Sequence, residues 1–142
     1  MAWRKLTEED LVAALSRDEV DAYRQDFEAD PIPALLSQTA GMVRGYIRTN
    51  GLVRMDPEPE TLPESVVGPA VDYVAVSVLK RLSVEPNETR RQARQDALAL
   101  FRDIAGRRSM PEDFDAPPDD GRAKVASAPA TGRANPEKRL LD

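Results

Sequence analysis

The sequence predicts an all-α protein: a small bundle of four to five helices followed by an extended C-terminal tail. Three observations carry that expectation. Short polar residues recur at helix-capping spacing, apolar residues recur at helical intervals, and both signals stop near Pro111.

The first helix is expected to start at Thr7, with Asp10 at capping-box spacing and Leu6 and Leu11 placed as a hydrophobic staple. The same device repeats at once, with Ser16 as cap, Glu19 three residues on, and Leu15 against Val20. A short helix to about Leu15, a corner, and a second helix to about Glu28 follow from it. Pro31 and Pro33 end the second helix.

From Pro33 to Asn50 the residues Leu35, Leu36, Thr39, Met42, Val43, Tyr46 and Ile47 trace one helical face. Gln38, Arg44 and Arg48 occupy the other, and Asn50-Gly51 makes a C-terminal stop. Burying such a stripe is worth about 1.5–3 kcal/mol per large side chain before entropy is charged. This third helix is expected to be core.

Residues Leu52 to Leu62 break the pattern. Pro57, Pro59 and Pro63 with Asp56, Glu58 and Glu60 predict a stiff acidic connector, with a short strand possible at Leu52–Met55.

The fourth segment, Glu64 to Leu82, is rich in valine, which favours strands. Yet Val67, Ala70, Val71, Val74, Val78 and Leu82 lie on one helical face, and Lys80-Arg81 suit a helix C-terminus. Helix is the reading, with Gly68-Pro69 as a late start or a kink.

A fifth helix is expected from the cap Asn87 to an exit at Gly106, with Ala93, Ala97, Leu100, Phe101 and Ile104 facing the core. Residues 1–110 thus form one helical domain, and 111–142 an extended Pro/Asp/Ala-rich tail that only partners would order. Within the tail, Glu112 to Asp120 is acidic and Arg122 to Arg139 mainly basic.

Composition narrows the chemistry. The 142 residues include no cysteine and no histidine, so disulfides, thiol nucleophiles, imidazole ligands and histidine-based triads are excluded. No cofactor and no metal are expected, and the protein is read as no enzyme. A net charge of -5 opposes free-standing nucleic-acid binding, whose affinity comes from neutralising phosphates. No stretch approaches the roughly 18 apolar residues of a membrane span. The polar opening MAWRKLTEED does not hold a signal peptide's apolar run, so no membrane contact is expected.

Carboxylates cluster at Glu8-Glu9-Asp10, at Asp18, Glu19 and Asp21, and at Asp113 and Asp115. Such pairs can serve glycoside hydrolysis or hold Mg2+. Most lie in first turns of helices, where the macrodipole favours negative charge, so caps and solvated faces are the preferred reading. Gly41 and Gly45 have a spacing that lets a neighbouring helix approach closely. The two N-terminal helices imitate a helix-turn-helix, but Asp18, Glu19 and Asp21 stand where phosphates would lie.

Arg90, Arg91 and Arg94, with Arg102, Arg107 and Arg108 further on, form the best positive patch. No aromatic or amide residues are interleaved to read bases. A face paired with acids such as Asp96 and Asp103, or an interface to an acidic neighbour, is preferred. The partner-binding candidates are Arg90, Arg91, Arg94, Arg107 and Arg108 together with Phe114, Arg122, Lys124, Arg139, Leu140 and Leu141.

Three passages give the chain a likeness. LTEEDLVAAL resembles the capped opening helix, LPESVVGPAVDYVAVSVLKRL the proline-initiated helix, and ETRRQARQDALALFRDIAGRRSMPED the basic helix and Met-Pro exit of one family. These are the small head-completion or neck proteins of Mu-like tailed bacteriophages, a class of head-to-tail connectors. The likeness runs from about residue 6 to residue 112. An unusually acidic segment after Ser16 and a long tail depart from it.

The resemblance implies a helical virion subunit assembling as a ring, commonly dodecameric, between portal and tail, around a channel for genome DNA that is not bound sequence-specifically. It implies the portal, further neck or tail proteins and other copies as partners. Location would be the virion neck, and the host cytoplasm during assembly. Phe114, Leu140 and Leu141 would anchor a tail draped over a neighbouring copy. The alternative reading is a small helical regulator or adaptor that binds DNA or a host protein.

Overall fold

One helix, α4 (Glu64–Arg81), is buried on nearly every side, and the other elements gather around it. The computed structural model describes residues 3–114. They form β1 (Trp3–Lys5), α1 (Glu8–Ala14), α2 (Arg17–Gln25), α3 (Ile32–Asn50), β2 (Thr61–Pro63), α4 and α5 (Glu88–Ala105). The result is a small all-α bundle of five helices carrying one two-stranded ribbon.

The helix starts follow the capping chemistry. Thr7 Oγ1 accepts the Asp10 N–H at 3.2 Å, while the Asp10 carboxylate accepts the Thr7 N–H at 2.8 Å. Ser16 Oγ takes the Glu19 N–H at 3.2 Å, and Asn87 Oδ1 takes that of Arg90 at 2.8 Å. At the end of α3, Gly51 turns left-handed with φ 79°. Only a residue lacking Cβ adopts that geometry without strain.

The core collects Leu11, Val20, Ile32, Val43, Ile47, Val74, Phe101 and Ile104, all at most 1% exposed. Tyr46 of α3 stacks on Phe101 of α5 with ring centroids 5.7 Å apart. Of the set expected on α5, Ala97, Phe101 and Ile104 are buried, whereas Ala93 and Leu100 are half-buried.

Several expectations need correction. No strand forms at Leu52–Met55; the strands are β1 and β2, paired antiparallel with Arg4 opposite Leu62. Leu52–Met55 has no neighbouring strand to join. Its backbone serves residues 113–114 instead, through Arg54 N–H to Asp113 Oδ1 at 2.8 Å and Phe114 N–H to Arg54 O at 2.7 Å.

Helix α4 starts at Glu64, directly after the extended Pro63, and runs through Pro69. Pro69 is therefore inside the helix and is not its start.

Helix α5 does exit at Gly106, but the left-handed turn falls on the next residue, Arg107 (φ 64°), Gly106 itself having φ -89°. Arg108 N–H closes the end onto Asp103 O at 2.8 Å, two residues beyond the cap.

Arg44, read from sequence as outward, is buried at 9% exposure. The connector, not another helix, covers it.

Residues 111–114, assigned to the tail from composition, are held to the body. Trp3 Nε1 donates to Glu112 O at 3.2 Å, and Ser65 N–H and Oγ both donate to the Glu112 carboxylate. Burial pushes that carboxyl's pKa up, but the Ser65 bonds together with Glu112's own backbone N–H act against it, and the carboxyl lies below its ordinary range.

Candidate interaction surfaces

Most acids of these clusters are engaged within the chain, Asp18 excepted among the described residues. Asp10 closes the α1 cap and takes Arg4 at 2.8 Å. The Arg4 guanidinium, first of all, holds the Asp10 carboxyl below its ordinary pKa against a smaller opposing effect of burial, helped by Thr7. Glu8 pairs with Arg17 at 3.1 Å and Arg24 at 2.6 Å, and Asp21 with Arg24 at 2.8 Å. Among the described residues no cluster of acids is arranged to hold a metal ion, and no helix is long and apolar enough to cross a membrane.

The basic candidates divide between the two ends of α5. At 1.5 Å per residue, the Arg90–Arg94 turn lies roughly 20 Å from Arg107 and Arg108, so they form no single patch. Arg90 reaches Glu19 of α2 at 3.5 Å. Arg91 pairs with Glu85 and, at 3.7 Å, with Glu88. Arg94 lies over the Tyr73 ring at 4.8 Å and meets no carboxylate among the described residues. Arg107 Nε donates to Asn50 O at 2.8 Å and ties α5 to the end of α3. Arg108 pairs with Asp103 at 3.0 Å. Asp96 instead accepts from Gln92 at 2.9 Å.

Phe114 is half-buried against this chain's own core. Its backbone bond to Arg54 fixes it there, so it is no free anchor for a neighbour. Arg122, Lys124, Arg139, Leu140, Leu141 and Asp115 lie outside the described residues.

Gly41 and Gly45 admit no neighbour within the chain, since a Cβ built at either meets nothing within 4 Å. That face of α3 is open.

Two grooves stand out on the surface of the described residues. One, of about 390 Å³, lies where α4 passes into α5 and is bordered by Lys80, Ser83, Val84, Arg91 and Arg94. It is cationic, with Val84 43% exposed at its edge. Sequence reasoning found its arginines, read Lys80 only as a base at the end of α4, and missed the apolar edge, because Val84 belongs to the turn that follows the helix.

The other groove, of about 260 Å³, lies between the β1–α1 junction and α3. The buried Leu6, Ile32, Leu36 and Ala40 line its floor, and Ser37, Glu60, Glu8 and Lys5 its rim, where the acids outnumber the base. No sequence signal marked it, since its residues come from three separated stretches.

Fold and surfaces together define a small helical bundle with one cationic and one acid-mouthed groove. Comparison with known families, curated proteins and solved structures yields no match.

Proposed function

We propose that this chain is a structural subunit of a tailed-bacteriophage neck, assembling as a ring between portal and tail with a channel for DNA. The three passages that carry the resemblance fall on α1, on β2–α4, and on α5 with its exit. Helices α1 and α5 both pack on α4, so the likeness covers one contiguous unit of the fold rather than scattered surface.

The observation that carries the reading is where unpaired charge lies. Asp18 and Glu28 near the two ends of α2 have no ion-pair partner among the described residues. Nor have Lys80 and Arg94 beside the α4–α5 groove. A ring closes through heterologous contacts, in which one face meets a different face of the next copy. Unpaired charges of opposite sign on different elements suit that geometry, and rim charges of this kind set register and partner choice. Net negative charge also keeps DNA from adhering to a wall it must slide past.

Native mass spectrometry and light scattering at low and high salt test the assembly. The expected result is a ring, or portal-bound oligomer, that Arg94→Glu dissociates. A protein that stays monomeric and also fails to join portal assemblies overturns the reading.

A further inference from the structure

The acid-mouthed groove has a chemistry that the ring reading does not use. Its floor is aliphatic, and Glu60 stands at its mouth. Glu60 is held there at φ 73°, a left-handed conformation that costs energy in a residue with a side chain. Ser37 Oγ donates to its Oε2 at 2.8 Å and fixes the carboxylate in place.

The neighbouring charges are otherwise engaged. Lys5 faces Glu58 at 3.7 Å, and Glu8 is taken by Arg17 and Arg24. Glu60 itself meets no cation among the described residues. A positioned carboxylate over an aliphatic floor fits a ligand that carries a base beside a branched apolar side chain.

The chain contains such a segment. Beyond residue 114 the only apolar side chains larger than valine are Leu140 and Leu141, and Lys138 and Arg139 immediately precede them. Charge disfavours the other groove, where Lys80 and Arg94, beside the Arg91–Glu85 pair, would repel the same bases. Reach is no obstacle. At about 3.3 Å per residue the intervening chain spans up to roughly 80 Å, several times the roughly 13 Å radius of gyration expected for a domain of this size.

We propose that Lys138-Arg139-Leu140-Leu141 docks in the groove between the β1–α1 junction and α3, its leucines on the aliphatic floor and a basic side chain on Glu60. The inference stands apart from the ring reading, because either the same chain or a second copy can supply the segment.

A benzophenone amino acid placed at Asp142 of the full-length chain, followed by irradiation and peptide mapping, tests it. Adducts are expected on residues 5–8, 32–40 and 60. The double substitution Leu140→Ala with Leu141→Ala, outside the helical body, should cut their yield about tenfold or more, given the burial each leucine contributes. Glu60→Arg should cut it too, and adding Lys138→Glu with Arg139→Glu should restore it. Product of monomer or of dimer mass supports docking equally and tells which copy donates the segment. Adducts scattered over the surface, adducts on the cationic groove, or a yield indifferent to loss of both leucines overturn the proposal.

Discussion

The guanidinium of Arg44 reaches Asp56 through that residue's backbone carbonyl, 2.8 Å from Nη2, and not through its carboxylate. The carboxylate instead accepts the Thr61 hydroxyl at 3.0 Å and the Glu58 N–H at 2.9 Å. Arg44 Nη1 also donates to Thr61 O at 2.8 Å. Two buried charges are therefore linked by a shared threonine and by backbone, and the connector between α3 and β2 is closed around them. Burial, and next the charge of Arg48, push the Arg44 pKa down, while Asp56 opposes the shift.

Arg44→Ala should destabilise the protein by about 2–4 kcal/mol, because it leaves two buried carbonyls unpaired and strands the Asp56 charge. Arg44→Lys should recover only part of that loss, since one ammonium cannot span both carbonyls as the planar fork does. Urea unfolding of the three proteins measures it. Equal stability of the alanine variant and the parent would show that the connector is held by something else.

How much of this was legible in the sequence follows from the range of each interaction. The caps at Thr7, Ser16 and Asn87 act over three residues, so spacing alone disclosed them, and the same holds for the stripe of α3. Arg44 misled because it lies on the flank of that stripe. No helix covers the flank; the connector does, and nothing in a helical period announces a loop that folds back. The ribbon was missed for a related reason. Each strand has only three residues, and the partners Arg4 and Leu62 are far apart in sequence. Glu60 looked like one acid of a solvated run, and its fixed place over a groove arises only once α3 and β1 stand beside it. Valine's strand preference lost to burial in α4, where a helix apolar on all sides has packing neighbours on all sides.

Chain truncation separates the body from the tail at a point that composition misplaced. Ending the chain after Phe114 should cost at most what docking of residues 138–141 contributes, since every bond from residues 111–114 to Trp3, Arg54 and Ser65 is retained. Ending it after Met110 should cost about 2–4 kcal/mol through the lost charge-assisted bonds and the half-buried Phe114 ring. Trp3 is the chain's single tryptophan, so its fluorescence reports the change directly. An emission spectrum unaltered by the shorter truncation would contradict the bond from Trp3 to Glu112.

The end of α4 holds an avoidable strain. Ser83 sits at φ 60°, between the cap residue Leu82 and Val84, whose N–H returns to Leu79 O at 2.9 Å. This is the position that glycine fills in most helix ends of this kind. Ser83→Gly should therefore raise stability by about 0.5–1 kcal/mol, the relief of a left-handed side chain less the added freedom of glycine in the unfolded chain. Thermal unfolding gives the sign, and Ser83→Ala provides the contrast, with no gain expected. Destabilisation by glycine would mean that the serine side chain supports the turn.

Acid should act on two carboxylates in opposite directions. Asp10 has a pKa lowered chiefly by its bond from Arg4, so its stabilisation is complete above the ordinary carboxylate value near 4 and is lost as pH falls through the lower folded value. Asp72 on α4 has a pKa raised by burial alone. Its ionised form is disfavoured in the fold, so its penalty is present at neutral pH and disappears as pH drops below the ordinary value. Asp72→Asn should accordingly stabilise the protein at pH 7 and have little effect at pH 3, which steepens the fall in stability on acidification. Asp10→Asn should destabilise at pH 7 and flatten the same profile. Unfolding midpoints in urea from pH 3 to pH 7 measure both. If Asp72→Asn lowers the midpoint at pH 7, the carboxylate makes a favourable contact in its charged state and the burial argument for it fails.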